Sequence, residues 1–86
     1  MQEKSPLEGK NVLAVDDEQD ILTTLEELLP MCNLFLASTF EEARDLLGTQ
    51  PFDLAILDIM GVDGYRLLEL AVSRNIPAVM LTAHAF

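Results

Sequence analysis

The sequence predicts an α/β fold in which a parallel sheet of four strands is covered by helices on both faces. Two patterns indicate this fold. Short runs that are almost entirely apolar, such as residues 54–57, alternate with segments whose apolar residues recur at helical spacing. Strands that are apolar on both sides are typical of parallel sheets buried between two layers of helices. The predicted order of elements is βαβαβαβ, with right-handed crossovers.

The first strand, the first helix and the second strand occupy the first half of the chain. Residues 1–10 form a polar lead-in, and residues 11–15 form the first strand. A helix follows, because apolar residues occur at positions 21, 22, 25, 28 and 29, and Pro30 ends it. Residues 34–37 are apolar again and are predicted as the second strand.

The second helix carries a capping signal at its start. Thr39 is predicted as the N-cap, with Glu42 reaching back in a capping box, and Gly48 is predicted to close the helix. Residues 53–57 then form the third strand.

The third helix is predicted over residues 65–74 and the fourth strand over residues 78–81. The helix has an apolar face that we expect to point inward. This face consists of Leu67, Leu68, Ala71 and Val72.

Composition limits the chain to one domain and restricts its partners. The chain has 86 residues, half of them hydrophobic, and its 15 acidic and 5 basic residues give a net charge of −10. This charge disfavours nucleic acid or an anionic membrane as a direct partner, because both need a basic surface. The single cysteine, Cys32, is interpreted as a packing or loop residue and fits a reducing cytoplasm. No apolar run approaches the ~20 residues of a membrane span.

Polar side chains stand at the ends of three predicted strands. Asp16 and Asp17 follow the first strand, Asp58 follows the third and Thr82 follows the fourth. Ligands of open parallel sheets bind beyond the carboxyl ends of the strands, so these residues would converge there. Carboxylates gathered at one edge stay ionised only around a cation. Oxygen ligands select Mg²⁺, or the similar Mn²⁺, over zinc.

This arrangement points to phosphoryl chemistry. A carboxylate such as Asp58, beside a bound Mg²⁺, can attack a phosphoryl group and form an aspartyl phosphate. The metal would neutralise the charge on the phosphoryl oxygens, and the Thr82 hydroxyl could donate a hydrogen bond to one of them. Each feature alone is common, since acidic residues after a strand often mark only the start of a helix. Their combination at three strand ends of one short chain is much less common.

Three segments resemble the receiver domain of two-component response regulators. They are "VLAVDDE" (12–18), "DLAILDIMGVDG" (53–64) and "VMLTAHA" (79–85), and the resemblance extends from about residue 11 to residue 86. It implies a flavodoxin-like, three-layer α/β/α fold with the strand order 2-1-3-4-5. This chain would contain four strands and three helices of that fold, in the order 2-1-3-4.

The resemblance also implies roles for individual residues around the metal. Asp58 is similar to the phosphoacceptor, which would receive its phosphoryl group from a histidine kinase. Asp17 is similar to a Mg²⁺ ligand, with Asp16 as its partner, directly or through water. The backbone carbonyl of Met60 would complete the metal shell.

Further positions are similar to those that control the family's signal. Thr82 corresponds to the switch hydroxyl, and Met60 and His84 occupy positions that tune the lifetime of the phosphoryl group. Such a domain is a phosphoacceptor that assists its own phosphorylation and dephosphorylation, rather than an enzyme with a separate substrate.

Two departures from the family pattern matter. Only residues 59–62 separate the predicted phosphoacceptor from "DG", whereas the family has a longer loop with a proline. The family also has an active-site lysine on a fifth strand, but the only lysines here are Lys4 and Lys10. We therefore expect a receiver domain truncated after residue 86, with impaired phosphorylation. We also expect a homodimer through the exposed edge of residues 78–81.

Alternatives to a phosphoacceptor are a receiver remnant that acts as a binding or dimerisation module and a phosphohydrolase of the haloacid dehalogenase type. The latter expects D-x-D after the first strand, whereas Asp16 and Asp17 are adjacent. A dinucleotide-binding fold is disfavoured because no glycine-rich turn follows the first strand.

Overall fold

The computed structural model describes residues 5–81, which form one parallel sheet with three helices. The strands are β1 (Asn11–Val15), β2 (Asn33–Ala37), β3 (Leu54–Asp58) and β4 (Ala78–Leu81). The helices are α1 (Gln19–Leu28), α2 (Phe40–Thr49) and α3 (Gly64–Ser73). All paired strands are parallel, and their order is β2-β1-β3-β4, which confirms the predicted fold class and strand order.

The strands are apolar on both sides because each side of the sheet contacts a helical layer. On β1, Leu13 and Val15 belong to the core cluster beneath α2 and α3, while Val12 and Ala14 belong to the cluster beneath α1. All of these side chains are fully buried, so β1 lies at the centre of the domain.

None of the helices among residues 5–81 has the length and apolar character that a membrane span needs.

The register of the sheet brings the carboxyl ends of β1 and β3 level with each other. Val15 pairs with Leu57, and Asp58 pairs with Leu81. The residue after β1, Asp16, therefore lies beside the end of β3. This alignment determines which side chains meet at the edge of the sheet.

The third strand lies one residue later than predicted, at Leu54–Asp58 instead of 53–57. Asp53 precedes β3 and is bonded twice to Asn11: its backbone N–H donates to the Asn11 carbonyl at 2.8 Å, and its carboxylate accepts from the Asn11 N–H at 2.9 Å. The consequence is that Asp58 belongs to the strand itself and is held by the sheet ladder. The second strand also begins one residue earlier than predicted, at Asn33.

The second helix does not end at Gly48, as predicted, but continues to Thr49. Gln50, the C-cap, has extended backbone angles (φ −151°, ψ 156°). A residue before proline is disfavoured in the helical region, so Pro51 rather than the glycine ends α2. The end of α1 agrees better with the prediction, because this helix ends at Leu28, two residues before Pro30.

The capping box of α2 is present in a modified form. The Thr39 hydroxyl accepts a hydrogen bond from the Glu42 backbone N–H at 3.1 Å, as predicted for an N-cap. The Glu42 carboxylate, however, accepts from the backbone N–H of Ser38 at 2.9 Å and from its hydroxyl at 3.1 Å. These bonds to Ser38 lower the pKa of Glu42.

The third helix spans Gly64–Ser73, one residue earlier than predicted. Asn75, just beyond it, has a positive φ of 59°, and its N–H donates to the carbonyl of Val72 at 3.0 Å. Together with the bond from Ile76 to Ala71 at 2.9 Å, this is a Schellman ending. The inward position predicted for Val72 is wrong, since its side chain is 63% exposed. It lies about 100° around the helix from Ala71, away from the buried stripe.

The N-cap of α2 provides a test of the fold. We expect Thr39→Ala to lower the free energy of unfolding by about 1 kcal/mol, because the Glu42 N–H loses its partner. For a domain of this size the melting temperature should fall by about 4–8 °C, measured by circular dichroism. Thr23→Ala, at an exposed position within α1, is the matched control and should not destabilise, since alanine is the better helix former. Equal losses for both variants would contradict the capping role.

Candidate functional site

Three carboxylates meet at the carboxyl edge of the sheet. Oxygen atoms of Asp16, Asp17 and Asp58 all lie within 4.8 Å of one another. Asp16 and Asp58 are only 6% and 3% exposed, whereas Asp17 is open to solvent. The site therefore offers two buried carboxylates and one accessible carboxylate.

Asp58 is buried without a cationic partner among the described residues because backbone amides hold its carboxylate. The Met60 N–H donates to Oδ1 at 3.2 Å, and the Gly61 N–H donates to Oδ2 at 3.0 Å. A carboxylate has about four acceptor positions, so each oxygen keeps capacity for another partner. The two bonds satisfy the carboxylate and fix its orientation.

Asp16 also accepts a hydrogen bond from a backbone amide, but its charged form is disfavoured by its surroundings. The Glu18 N–H donates to its Oδ1 at 2.9 Å. Burial raises the pKa of Asp16, and the negative charges of Asp58 and Asp17 raise it further, while the bond from Glu18 opposes the shift. A cation among these carboxylates would relieve this cost, because it favours their charged forms.

The loop between β3 and α3 is tight enough to require small residues. A side chain at Gly64 would overlap the backbone carbonyl of Asp58, so the start of α3 packs directly on the end of β3. Asp63, the N-cap of α3, takes the left-handed conformation with φ 55° and makes no side-chain cap bond. The shortened loop is thus accommodated by an abrupt turn at "DG", a dipeptide that favours such turns.

Sequence reasoning missed two contributions of this loop. It did not identify the Met60 and Gly61 amides as partners of Asp58, nor the contact between Gly61 and Asp17. The available signal was a glycine three residues after a buried acidic residue in an unusually short loop.

Of the other predicted site residues, only Met60 lies within the described part of the chain. Met60 lies in the loop with a 73% exposed side chain, and the metal-binding role of its carbonyl stays a prediction. Thr82 and His84 lie outside the described residues, so their predicted roles also stay predictions. Lys10 precedes β1 and is therefore at the opposite end of the sheet from the carboxylates.

The donor set fits a hard divalent cation. Among residues 5–81, the cluster contains three carboxylates and no cysteine or histidine. Mg²⁺ and Mn²⁺ prefer such oxygen ligands, whereas zinc prefers nitrogen and sulfur. Asp16, Asp17 and Asp58 are the residues that could hold the ion.

A parallel α/β sheet with an acidic cluster at its carboxyl edge defines a flavodoxin-like domain with a site of the cation-binding type. Comparison with known families makes this specific, because residues 12–86 match the response regulator receiver domain. The chain belongs to this family, as its motifs predicted.

Similar proteins agree with this assignment. Two-component response regulator ARR18 of Arabidopsis thaliana is 40% identical over 83 residues, which cover 90% of this chain and 13% of that protein. Two-component response regulator ORR24 of Oryza sativa subsp. indica is 37% identical, covering 88% of this chain and 13% of that protein. The chain thus spans only a small part of the length of these curated relatives.

The fold is also similar to solved receiver structures. A CheY-like response regulator receiver domain protein from Methanospirillum hungatei JF-1 has a TM-score of 0.80 and 28% identity. The match covers 91% of this chain and 67% of that chain. The N-terminal domain of a response regulator receiver protein from Methanoculleus marisnigri JR1 has a TM-score of 0.77 and 33% identity, covering 90% and 69%.

The raised pKa of Asp16 leads to a prediction about stability and pH. Because the folded state favours the protonated carboxyl, the ionised form destabilises the metal-free protein. The resulting loss of folding stability is absent below pH 3.8, the ordinary carboxyl pKa. It develops as the pH rises from there through the raised pKa of Asp16 in the folded protein. We therefore expect Asp16→Asn, which keeps the acceptor for the Glu18 N–H, to melt at a higher temperature than wild type at pH 7 in chelator.

The advantage of Asp16→Asn should vanish at low pH, and added Mg²⁺ should reverse it by stabilising wild type. Asp45→Asn, on the exposed surface of α2, is the control and should show neither effect. A lower melting temperature for Asp16→Asn in chelator at pH 7 would contradict the electrostatic interpretation.

Proposed function

We propose that this receiver domain accepts a phosphoryl group on Asp58 from a histidine kinase, in a Mg²⁺-dependent reaction in the cytoplasm. The observation that carries the proposal is the position of Asp58. Its carboxylate is buried, oriented by two backbone amides and grouped with two further carboxylates at the edge of the sheet. A nucleophile held in this way needs little reorganisation before it reacts.

In the proposed reaction, an oxygen of Asp58 attacks the phosphorus atom of the donor. A bond forms between that oxygen and phosphorus, while the bond from phosphorus to the donor group breaks and its electron pair leaves with the donor. Asp16 and Asp17 would hold the cation, and the Met60 and Gly61 amides would keep the Asp58 carboxylate aimed. When bound, Mg²⁺ supplies positive charge opposite the phosphoryl oxygens.

The charge balance of the site implies slow phosphorylation of the 86-residue polypeptide. Three carboxylates outweigh the two positive charges of Mg²⁺, so an incoming phosphoryl dianion meets a negative site. No lysine occurs between residues 11 and 86 to offset the difference. Loss of one group that stabilises the transition state lowers a rate by about 10²–10³.

We therefore expect acetyl phosphate and Mg²⁺ to label the 86-residue polypeptide about 10²–10³ times more slowly than a receiver domain that has an active-site lysine. Intact-mass spectrometry measures the phosphorylated fraction over time. Asp58→Asn should abolish the label, whereas Asp53→Asn, at the other end of β3, should retain it. A label that survives Asp58→Asn would exclude this residue as the phosphoacceptor, and rapid complete labelling would show that the charge argument is wrong.

A second candidate function is assembly, and the edge of β4 favours it. Among residues 5–81, β4 pairs only with β3, so its outer edge has no strand partner in that part of the chain. The side chain of Val79 on this strand is 49% exposed, while α1 packs against β1. Exposed apolar edge strands readily pair with another chain. We propose a two-fold dimer in which β4 pairs antiparallel with β4 of a second copy.

The dimer proposal predicts a concentration-dependent mass. Sedimentation equilibrium of the 86-residue polypeptide at micromolar concentration should give a dimer, and Val79→Lys should shift it to monomer, because charge on an edge strand opposes pairing. Val72→Lys is the matched control, since Val72 is also exposed but lies on α3, and it should leave the dimer intact. A well-folded wild-type monomer whose β4 amides resist hydrogen exchange would contradict the proposal.

A further inference from the structure

Gly61 lies directly against the accessible carboxylate of the acidic cluster. A Cβ atom at this position would overlap the Asp17 carboxylate group. The backbone does not require glycine there, because among the described glycines only Gly9 has a positive φ. Glycine at position 61 therefore leaves room for the Asp17 carboxylate, and it is not needed for a left-handed backbone conformation.

The orientation of Asp17 depends on that space. Asp16 and Asp58 are buried and accept hydrogen bonds from backbone amides, but Asp17 is exposed. Within residues 5–81 no hydrogen bond or ion pair holds the Asp17 side chain. The Asp17 carboxylate therefore occupies the space that is free beside the other two carboxylates. This space is free because Gly61 has no side chain.

Gly61 also contacts the cluster from the other side. Its backbone N–H donates to Oδ2 of Asp58 at 3.0 Å. One residue of the shortened loop therefore orients the buried carboxylate and leaves room for the exposed one. This double contact arises because the loop turns back across the end of β1 immediately after β3.

We propose that Gly61 is a positioning residue that keeps the Asp17 carboxylate within the cation site. The inference rests on the proposed metal site and adds a residue to it. A methyl group at position 61 displaces the Asp17 carboxylate, which rotates easily into solvent, and so removes one donor. Cation binding then weakens while the fold persists, since the side chain that moves is exposed. Gly64 differs, because a side chain there meets backbone and disturbs the turn itself.

The test is calorimetric titration of the 86-residue polypeptide with MnCl₂ and MgCl₂ alone. Gly61→Ala should bind the cation about 10–100-fold more weakly than wild type, the range typical when a group that orients a ligand is changed. Its melting temperature in chelator should stay close to that of wild type. Gly48→Ala is the matched control, because a Cβ there meets only the Arg74 guanidinium at 3.9 Å, and it should bind as wild type does.

A double-mutant cycle separates positioning of Asp17 from any other effect. If Gly61 acts through Asp17, then Asp17→Ala and Asp17→Ala combined with Gly61→Ala should bind the cation equally weakly. Wild-type affinity in Gly61→Ala, or a further loss in the double variant, would overturn the positioning role while leaving the metal site in place. No cation binding by wild type, or unchanged binding by Asp17→Ala, would instead overturn the metal site and the inference with it.

The same set of variants keeps the test decisive if Gly61→Ala fails to fold. If Gly61→Ala unfolds in chelator, the double variant should fold, because the overlap with the Asp17 carboxylate is gone. An unfolded double variant would show that glycine is needed for another reason, and the proposal would be wrong.

Discussion

The burial of the Asp58 carboxylate at the end of β3 is the constraint on which the rest of the site depends. A buried carboxylate is tolerated only with hydrogen-bond donors, and here the donors are the amides of Met60 and Gly61. To place these amides, the chain must turn back at once after β3. That turn brings Gly64 against the Asp58 carbonyl and puts Asp63 in the left-handed conformation.

The site also illustrates a conflict between stability and function. Burial and neighbouring negative charges raise the pKa of Asp16, so the metal-free site is strained electrostatically at neutral pH. The fold tolerates this because Glu18 and the loop amides satisfy the carboxylates locally. A divalent cation among the three carboxylates would relieve this repulsion, because it favours their charged forms.

The two faces of the sheet are covered to different extents. Both α2 and α3 pack against one side, where the larger core cluster extends from Leu13 and Leu57 to Phe52, while α1 alone covers the other side near β1. The partly exposed Val79 on β4 follows from this asymmetry among the described elements. The proposed assembly and the proposed phosphoryl chemistry would thus use different parts of the sheet.

The sequence by itself determined the order of elements, the parallel sheet and the three carboxylates at its edge, because apolar runs, helical spacing and strand ends are local patterns. Only the tertiary structure decided how the charge of Asp58 is satisfied and why position 61 is glycine, since both depend on a loop crossing the end of another strand. The ends of the elements show the same division. Pro51 ends α2 locally, whereas Asp53, just before β3, is bonded to Asn11, 42 residues away in sequence. Contacts between distant segments carry no local signature, so the pattern of residues predicts the three carboxylates but not the geometry that holds them.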